Sequence, residues 1–262
     1  MQDGLHPNGL LLRFRMKVPI LITNFNLSTW PKAMVKELQR MKECGPIIIL
    51  DNGSTYGPTL EWYESLKGNE DVSVVRTGQN LGHLVAWRLG IDKRIKADFG
   101  YPDYIVTDPD LDLSACPDDT IVRMRELWYD SPSYPYIYRD EEAKDFNGVQ
   151  FNVKDKIGLG IRVDDVPENA LFFQPAEHRY HKQPTYGDLR LAPVDTTFAF
   201  YHVDTYQVCI SGARTLPPYE VRHLPYYITP VEMNSDWEFR QYLDKANHSS
   251  TAKKIADGLE IG

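Results

Sequence analysis

The 262-residue chain contains only three cysteines, Cys44, Cys116 and Cys209, and none lies in a CxxC or other zinc-type spacing. An odd count without such spacing excludes a disulfide framework and a structural zinc site as the source of stability. It points to a reducing compartment, so a cytoplasmic location is expected. Long apolar runs are lacking as well. Stretches such as Pro46 to Leu50 are strand-length, well short of the ~20 residues of a membrane-spanning helix, and no signal-type apolar segment follows the start. A soluble protein with no membrane span is expected. Positive charge is also scarce: 29 Lys and Arg against 37 Asp and Glu leave a formal net charge of -8. This argues against nucleic acid as a partner, because affinity for a phosphate backbone comes from clustered Lys and Arg. An acidic protein that handles a phosphorylated ligand does so through a metal ion or backbone N–H groups. No GxGxxG follows the first strand-like run, which disfavours a dehydrogenase, and no internal repeat or low-complexity tract is present.

What is present is a regular alternation of strand and helix signals. Residues 1–16 have no hydrophobic period and read as a flexible leader or an upstream start. Val18 to Thr23 is a β-rich apolar run, and Trp30 to Cys44 has helical spacing, with Ser28 or Thr29 as N-cap and Pro31 at the first helical position. Ile47 to Leu50 reads as a buried strand, Thr59 to Leu66 as a helix and Val72 to Arg76 as a third strand. A helix from about His83 to Lys93 and a fourth strand, Tyr104 to Thr107, complete the series. Such alternation implies right-handed βαβ crossovers. The expected fold is therefore α/β, a Rossmann-like, mostly parallel sheet flanked by helices. Residues 17–120 are expected to be the ligand-binding half, and 121–262 the second half of the same domain. In the second half a helix through Leu127 precedes aromatic- and Pro-rich segments, with a last helix over Ser235 to Ala246.

Ligands of such sheets lie beyond the carboxyl ends of the strands. Three polar clusters fall there: Thr23-Asn24-Phe25-Asn26, Asp51-Asn52-Gly53-Ser54 and Asp108 to Asp112. Asp108, Asp110 and Asp112 are spaced by two, and Pro109 between the first pair suggests a turn that fans them around a point. Carboxylates so gathered repel one another unless a cation sits between them, and hard oxygen ligands favour Mg²⁺ or Mn²⁺. A calcium loop fits less well, with Leu113 where glycine is needed, Asp119 where Glu is needed, and a strand instead of a helix in front.

The segments PILITNFN, LDNGST, RTGQNLGHLVAWRLGI and YIVTDPDLDL, in that order over roughly residues 18 to 120, resemble the A-type-fold (GT-A) nucleotide-sugar glycosyltransferases, in particular the family-2-like group. The resemblance implies that Thr23, Asn24, Asn26 and Asp51 hold the base and ribose of the donor. It further implies that Arg76 and Asn80-Leu81-Gly82 close beside the base, and that Asp108 and Asp110 are the DxD pair facing the ribose and metal. Asp112 extends that motif, and Asn52 and Tyr56 stand where acidic residues are common in the family. His223 is similar to the late histidine that completes the metal or diphosphate site in some members. The expected partners are a UDP-, GDP- or dTDP-linked sugar donor and a saccharide or other hydroxyl acceptor.

An inverting transfer needs a base for the acceptor hydroxyl, and a carboxylate is the usual candidate. Asp195 lies between apolar runs, where burial raises a carboxylate pKa, and the family's inverting members carry an acid in the corresponding stretch. Asp195 is therefore the expected base, with Asp188 and Glu177 as alternates. His178, His181 and His202 are assigned surface or packing roles. Tyr180, Tyr186, Trp237 and the Tyr226-Tyr227 pair offer faces for sugar stacking, although core packing explains aromatics equally well. Two rivals remain. A sugar-phosphate nucleotidyltransferase needs a Gly-rich loop with Arg and Lys after the first strand, and TNFNLSTW has neither. A non-catalytic nucleotide- or carbohydrate-binding module would keep the fold without turnover.

Overall fold

The computed structural model describes residues 17–143, 146–205 and 210–245. The leader 1–16 and Cys209 lie outside the described residues, and Cys44 and Cys116 are free thiols. The first half runs β1 (Val18–Asn24), α1 (Thr29–Arg40), β2 (Cys44–Asp51), α2 (Gly57–Ser65), β3 (Val72–Arg76), α3 (Val85–Arg88), α4 (Ile91–Phe99), β4 (Asp103–Thr107), β5 (Leu111–Asp112) and α5 (Thr120–Asp130). The second half continues with short strands β6 (Pro135–Ile137), β7 (Gln150–Asn152), β8 (Ile157–Gly158) and β9 (Gly160–Ile161), followed by α6 (Ala176–His181). It ends with β10 (Thr185–Tyr186), β11 (Leu189–Arg190), β12 (Ala199–His202), β13 (Ala213–Thr215), β14 (Glu220–His223), α7 (Pro230–Ser235) and α8 (Trp237–Lys245).

Among the described residues, nine strands form one sheet in the order β10-β11-β13-β8-β12-β4-β1-β2-β3. The β4-β1-β2-β3 portion is parallel throughout. Every residue of β1 is buried, and the strand's apolar side chains alternate between two cores. Ile20 and Ile22 pack with Met34, Leu38, Ile121 and Met124 on one face, while Leu21 packs with Val85, Ile91, Ile95 and Tyr201 on the other. A continuous Val/Ile/Leu run is what a parallel strand covered on both faces requires. Among the described residues no helix is long and apolar enough to cross a membrane.

Three helices differ from the sequence reading. The first stops at Arg40, with Met41 extended and Glu43 at φ 61°, so that Cys44 already belongs to β2. The helix expected over 83–93 is split into α3 and α4 by Gly90, at φ 64° in the left-handed region. The last helix starts at Trp237 instead of Ser235, after the extended Asp236, and a separate α7 precedes it.

The start of α1 is capped from a distance. Ser28 is its N-cap but makes no side-chain capping bond. Instead Glu238 of α8 accepts from the backbone N–H of Ser28 (2.6 Å) and Thr29 (2.8 Å) through Oε1, and from their hydroxyls (2.8 and 3.0 Å) through Oε2. A carboxylate at a helix N-terminus satisfies orphan N–H groups and opposes the dipole. Phe239, next in the chain, packs on Trp30 with ring centroids 5.2 Å apart. Replacing Glu238 with Ala is therefore expected to lower the unfolding free energy by about 1–2 kcal/mol, read by urea denaturation; an unchanged midpoint would show that this remote cap contributes nothing.

Candidate functional site

Because β1 to β4 are parallel, their carboxyl ends share one rim, and a cleft of about 360 Å³ opens along it. Thr23, Asn24, Asn80 and Gly82 line the cleft together with Asp108, Asp110, Asp195 and His223. Phe239, Tyr242 and Leu243 of α8 contribute to its wall.

Two strand pairings bring the charged residues together. β12 runs antiparallel to β4 with Ala199 opposite Val106, so the residues just before β12 arrive beside Thr107 and Asp108. Thr196 Oγ1 donates to both oxygens of Asp108 (3.2 and 3.4 Å), and Thr197 Oγ1 lies 3.4 Å from Asp108 Oδ2. The turn into β12 carries Phe198 at φ 42°, fully buried, a backbone conformation that a bulky residue adopts only where its surroundings impose it. In the second pairing β14 lies antiparallel to β5, with His223 opposite Leu111, and Leu224 N–H donates to the Asp110 carbonyl at 2.8 Å. His223 Nε2 is thereby set 3.6 Å from Asp110 Oδ1.

Asp112 does not join this group. The same pairing places it opposite Arg222, 3.8 Å from that guanidinium, and its Oδ1 accepts from Ser114 N–H at 2.9 Å. Asp108 and Asp110 precede β5, so the two-residue alternation expected from the spacing does not carry through to Asp112. Asp51 and Arg76 also stay out of the cleft lining. They are register partners on β2 and β3, and the fully buried Asp51 carboxylate accepts from Arg76 Nε (3.1 Å), Tyr63 OH (3.3 Å) and Ser54 N–H (3.0 Å). A carboxylate with that many partners has little left for a base or ribose. Asn26 serves the backbone, its Oδ1 accepting from Thr55 and Tyr56 N–H at 2.7 and 3.0 Å. Asn52 holds the 80–82 turn instead: its amide donates to the Gly82 carbonyl (3.2 Å) and accepts from Leu81 N–H (3.2 Å). Gly53 is required here, since at φ 79° a Cβ would lie 2.9 Å from Gln79 N. Of the alternates, Asp188 is an exposed partner of Arg123, and Glu177 is buried against Arg214 at 2.7 Å.

The electrostatics are those of crowded carboxylates. Burial, then the charge of Asp110 and that of Asp195, push the Asp108 pKa up to about 7; burial and Asp195 do the same for Asp110. Desolvation lowers His223, which keeps its imidazole neutral near pH 7. Asp195 corrects the sequence expectation. Desolvation acts to raise it, but the Arg214 charge, hydrogen bonds from Thr197 and the Lys156 charge outweigh that effect and hold it below the usual range. Its side chain faces the open cleft, so it is solvent-accessible although surrounded by protein charges. Arg214 and Lys156, which hold Asp195 ionised, carry no sequence signal, being isolated cations far along the chain.

Asp110 Oδ1 is buried without a hydrogen-bond partner and has His223 Nε2 3.6 Å away, which suits a carboxylate open to a cation. Among the described residues no three His, Cys, Asp or Glu side chains form a ready metal cage.

By sequence, no family model and no curated protein matches the chain. By structure, the mannosyltransferase PcManGT from Pyrobaculum calidifontis, in complex with GDP-Man and Mn²⁺, aligns over 95% of this chain and 65% of its own, with TM-score 0.50 and 12% identity. TarS of S. aureus aligns over 72% of this chain and 47% of that one, with TM-score 0.42 and 13% identity. A 4-diphosphocytidyl-2C-methyl-D-erythritol synthase aligns over 72% of this chain and 76% of that one, with TM-score 0.38 and 11% identity. The chain thus spans about half the TarS structure and just under two thirds of the mannosyltransferase. The fold is GT-A-like: a mostly parallel central sheet flanked by helices, as expected.

The raised carboxylates have a consequence for stability. A carboxyl with a folded pKa near 7 and an unfolded value of about 4 binds more protons in the native state between those pH values. Native stability is therefore lost as pH rises through that window. In EDTA, the melting temperature of the wild type should fall more steeply from pH 4 to 7 than that of Asp110→Asn. Parallel curves would show that the cluster is not electrostatically strained.

Proposed function

We propose that the chain is a metal-dependent glycosyltransferase that moves a sugar from a nucleotide-diphosphate donor to a hydroxyl acceptor with inversion. The observation that carries this reading is the convergence of Asp108, Asp110, His223 and an ionised Asp195 on one cleft at the carboxyl edge of the sheet. The GT-A-like fold, shared with a mannosyltransferase that binds GDP-Man and Mn²⁺, supports it. A nucleotidyltransferase has no comparable support, since residues 23–30 offer no cationic Gly-rich loop.

In this reading the nucleoside lies toward Thr23, Asn24 and the 80–82 turn, and the diphosphate reaches Asp108, Asp110 and His223. Asp110 and His223, with Asp108 beside them, would hold a divalent cation, which would supply Lewis-acid stabilisation for the charge on a departing diphosphate. Asp195 takes the proton of the acceptor hydroxyl as that oxygen bonds the anomeric carbon and the bond to the diphosphate oxygen breaks. A base with a low pKa is fully ionised at neutral pH but only weakly basic, so it is suited to a late proton transfer in which the hydroxyl has already begun to bond. Thr196 and Thr197 tie the base loop to Asp108, so the two halves of the reaction are held in one frame.

Calorimetric titration of UDP, GDP and dTDP, with and without Mn²⁺, tests the donor site. One nucleotide should bind only with the ion, and Asp110→Ala should abolish that binding. If none binds under any condition, the transferase reading fails. Asp195→Asn should retain nucleotide binding while transfer falls by about 10²- to 10⁴-fold. Slow donor hydrolysis by the wild type separates an enzyme from a binding module, which leaves the donor intact.

A further inference from the structure

Asp195 lies between β11 and β12, in a segment with no helix or strand of its own. Segments outside regular elements are ordinarily the mobile parts of a fold, whereas a reacting side chain has to be held within about 0.5 Å of its productive position. The contacts behind the segment meet that requirement. Two cations hold its backbone by alternate carbonyls: Arg214 Nε donates to the Pro193 carbonyl at 2.6 Å, and Lys156 Nζ donates to the Asp195 carbonyl at 3.1 Å. Both side chains belong to buried residues, Lys156 at 2% and Arg214 at 6% exposure. Burying a Lys or Arg is costly, and such residues are ordinarily found inside a protein only with a carboxylate. Arg214 has that carboxylate in Glu177, 2.7 Å away, yet turns its remaining edge to a loop carbonyl.

The two cations stand on one rigid base. β8 and β13 are parallel neighbours inside the nine-stranded sheet, with Ala213 opposite Ile157 and Arg214 opposite Gly158. Ala213 N–H donates to the Lys156 carbonyl at 3.0 Å, which ties the two donors' backbones together. Gly158 then lets the loop come close: a Cβ at that position would overlap Val194 Cγ1, and Val194 is a buried, β-branched side chain with little freedom to turn away. Val194 N–H is held in turn by the Ile210 carbonyl at 2.9 Å. At the carboxylate itself, Thr197 N–H donates to Asp195 Oδ1 at 2.8 Å and so restrains its rotation. Residues 193, 194, 195 and 197 are thus each fixed by a different partner.

We propose that Arg214, Lys156 and Gly158 are positioning residues, which act on the reaction by setting where the Asp195 backbone lies. None of the three lines the cleft. The two cations also keep Asp195 ionised, but a charge alone needs no contact with the Pro193 and Asp195 carbonyls and no glycine under Val194; geometry is the additional thing they supply. This assignment rests on the transferase reading, with Asp195 as the base.

The test uses the full chain with Mn²⁺ and the nucleotide sugar whose nucleotide binds in the titration, and follows donor hydrolysis, for which water is the acceptor. Arg214→Lys keeps the positive charge but loses the planar fork, and Gly158→Ala leaves every charge in place while pushing on Val194. Each should lower kcat by about 10- to 100-fold, since a misplacement of about 1 Å costs rates of that order. The nucleotide–Mn²⁺ dissociation constant and the donor KM should change by less than about twofold, because no binding contact is removed. Introduced into Asp195→Asn, either substitution should cause less than about twofold further loss, whereas effects exerted elsewhere in the fold would multiply. Lys156→Met, which releases the other carbonyl, supplies the same comparison should one of these variants fail to fold. The proposal is overturned if either folded variant keeps the wild-type kcat, if the loss is as large in the Asp195→Asn background, or if nucleotide affinity falls together with kcat. A wild type that binds no nucleotide would instead remove the transferase reading. An Asp195→Asn variant that hydrolyses donor as fast as the wild type would remove Asp195 as the base, and the positioning role with it.

Discussion

Mutual repulsion among Asp108, Asp110 and Asp195 is the constraint around which the candidate site is arranged. Two of the three carboxyls are pushed upward by burial and by one another, and the third is held down by Arg214, Thr197 and Lys156. A protein that only needed a stable sheet edge would not keep such a cluster, because buried like charges oppose folding. The surrounding groups can be understood as responses to it. Thr196 and Thr197 supply hydroxyls to Asp108, a desolvated His223 stands neutral beside Asp110, and the Arg214–Glu177 pair places a cation near Asp195 without leaving it unpaired. A divalent cation would complete the arrangement.

The fold makes this cluster possible by reversing strand direction next to β4. Parallel strands β1 to β4 bring Thr23, Asn24 and Asp108 to a common rim, but their crossovers alone would not deliver Asp195 there. Inserting β12 antiparallel against β4 does so, since the chain must then approach from the rim side. The small sheet of β5, β14 and β9 performs the same service for His223. At the far side of the cleft, α8 contributes a wall and is anchored by Glu238 on the start of α1, so the helix following β1 and the wall of the cleft share one carboxylate.

Much of the first half was legible because its signals are local. Val18 to Thr23 and Tyr104 to Thr107 show buried-strand composition, and Asp108-Pro109-Asp110 announces a turn at a strand end. The reading failed where partners are distant in sequence. Asp51 looks like a ligand residue until Arg76 and Tyr63 are seen to occupy its oxygens, and Asp112 looks like a third member of a cluster until β14 sets Arg222 across from it. Ser28 is the N-cap of α1, as its sequence position indicates, but the groups that accept from the helix start come from Glu238, more than two hundred positions later. The low pKa of Asp195 was missed for the same reason: apolar neighbours along the chain suggested a raised value, while Arg214 and Lys156 act through space. Short strands such as β8 and β13, two and three residues long, are too brief to show any hydrophobic period.

The central claim is that the Asp110–His223 pair, with Asp108 beside it, is built to receive a divalent cation. Anomalous scattering from crystals grown with Mn²⁺ and a nucleoside diphosphate tests it most directly. The account predicts a single strong peak in contact with Asp110 and His223 and none at Asp112. A peak at Asp112, or a bound nucleotide with no ion between its phosphates and Asp110, would contradict it.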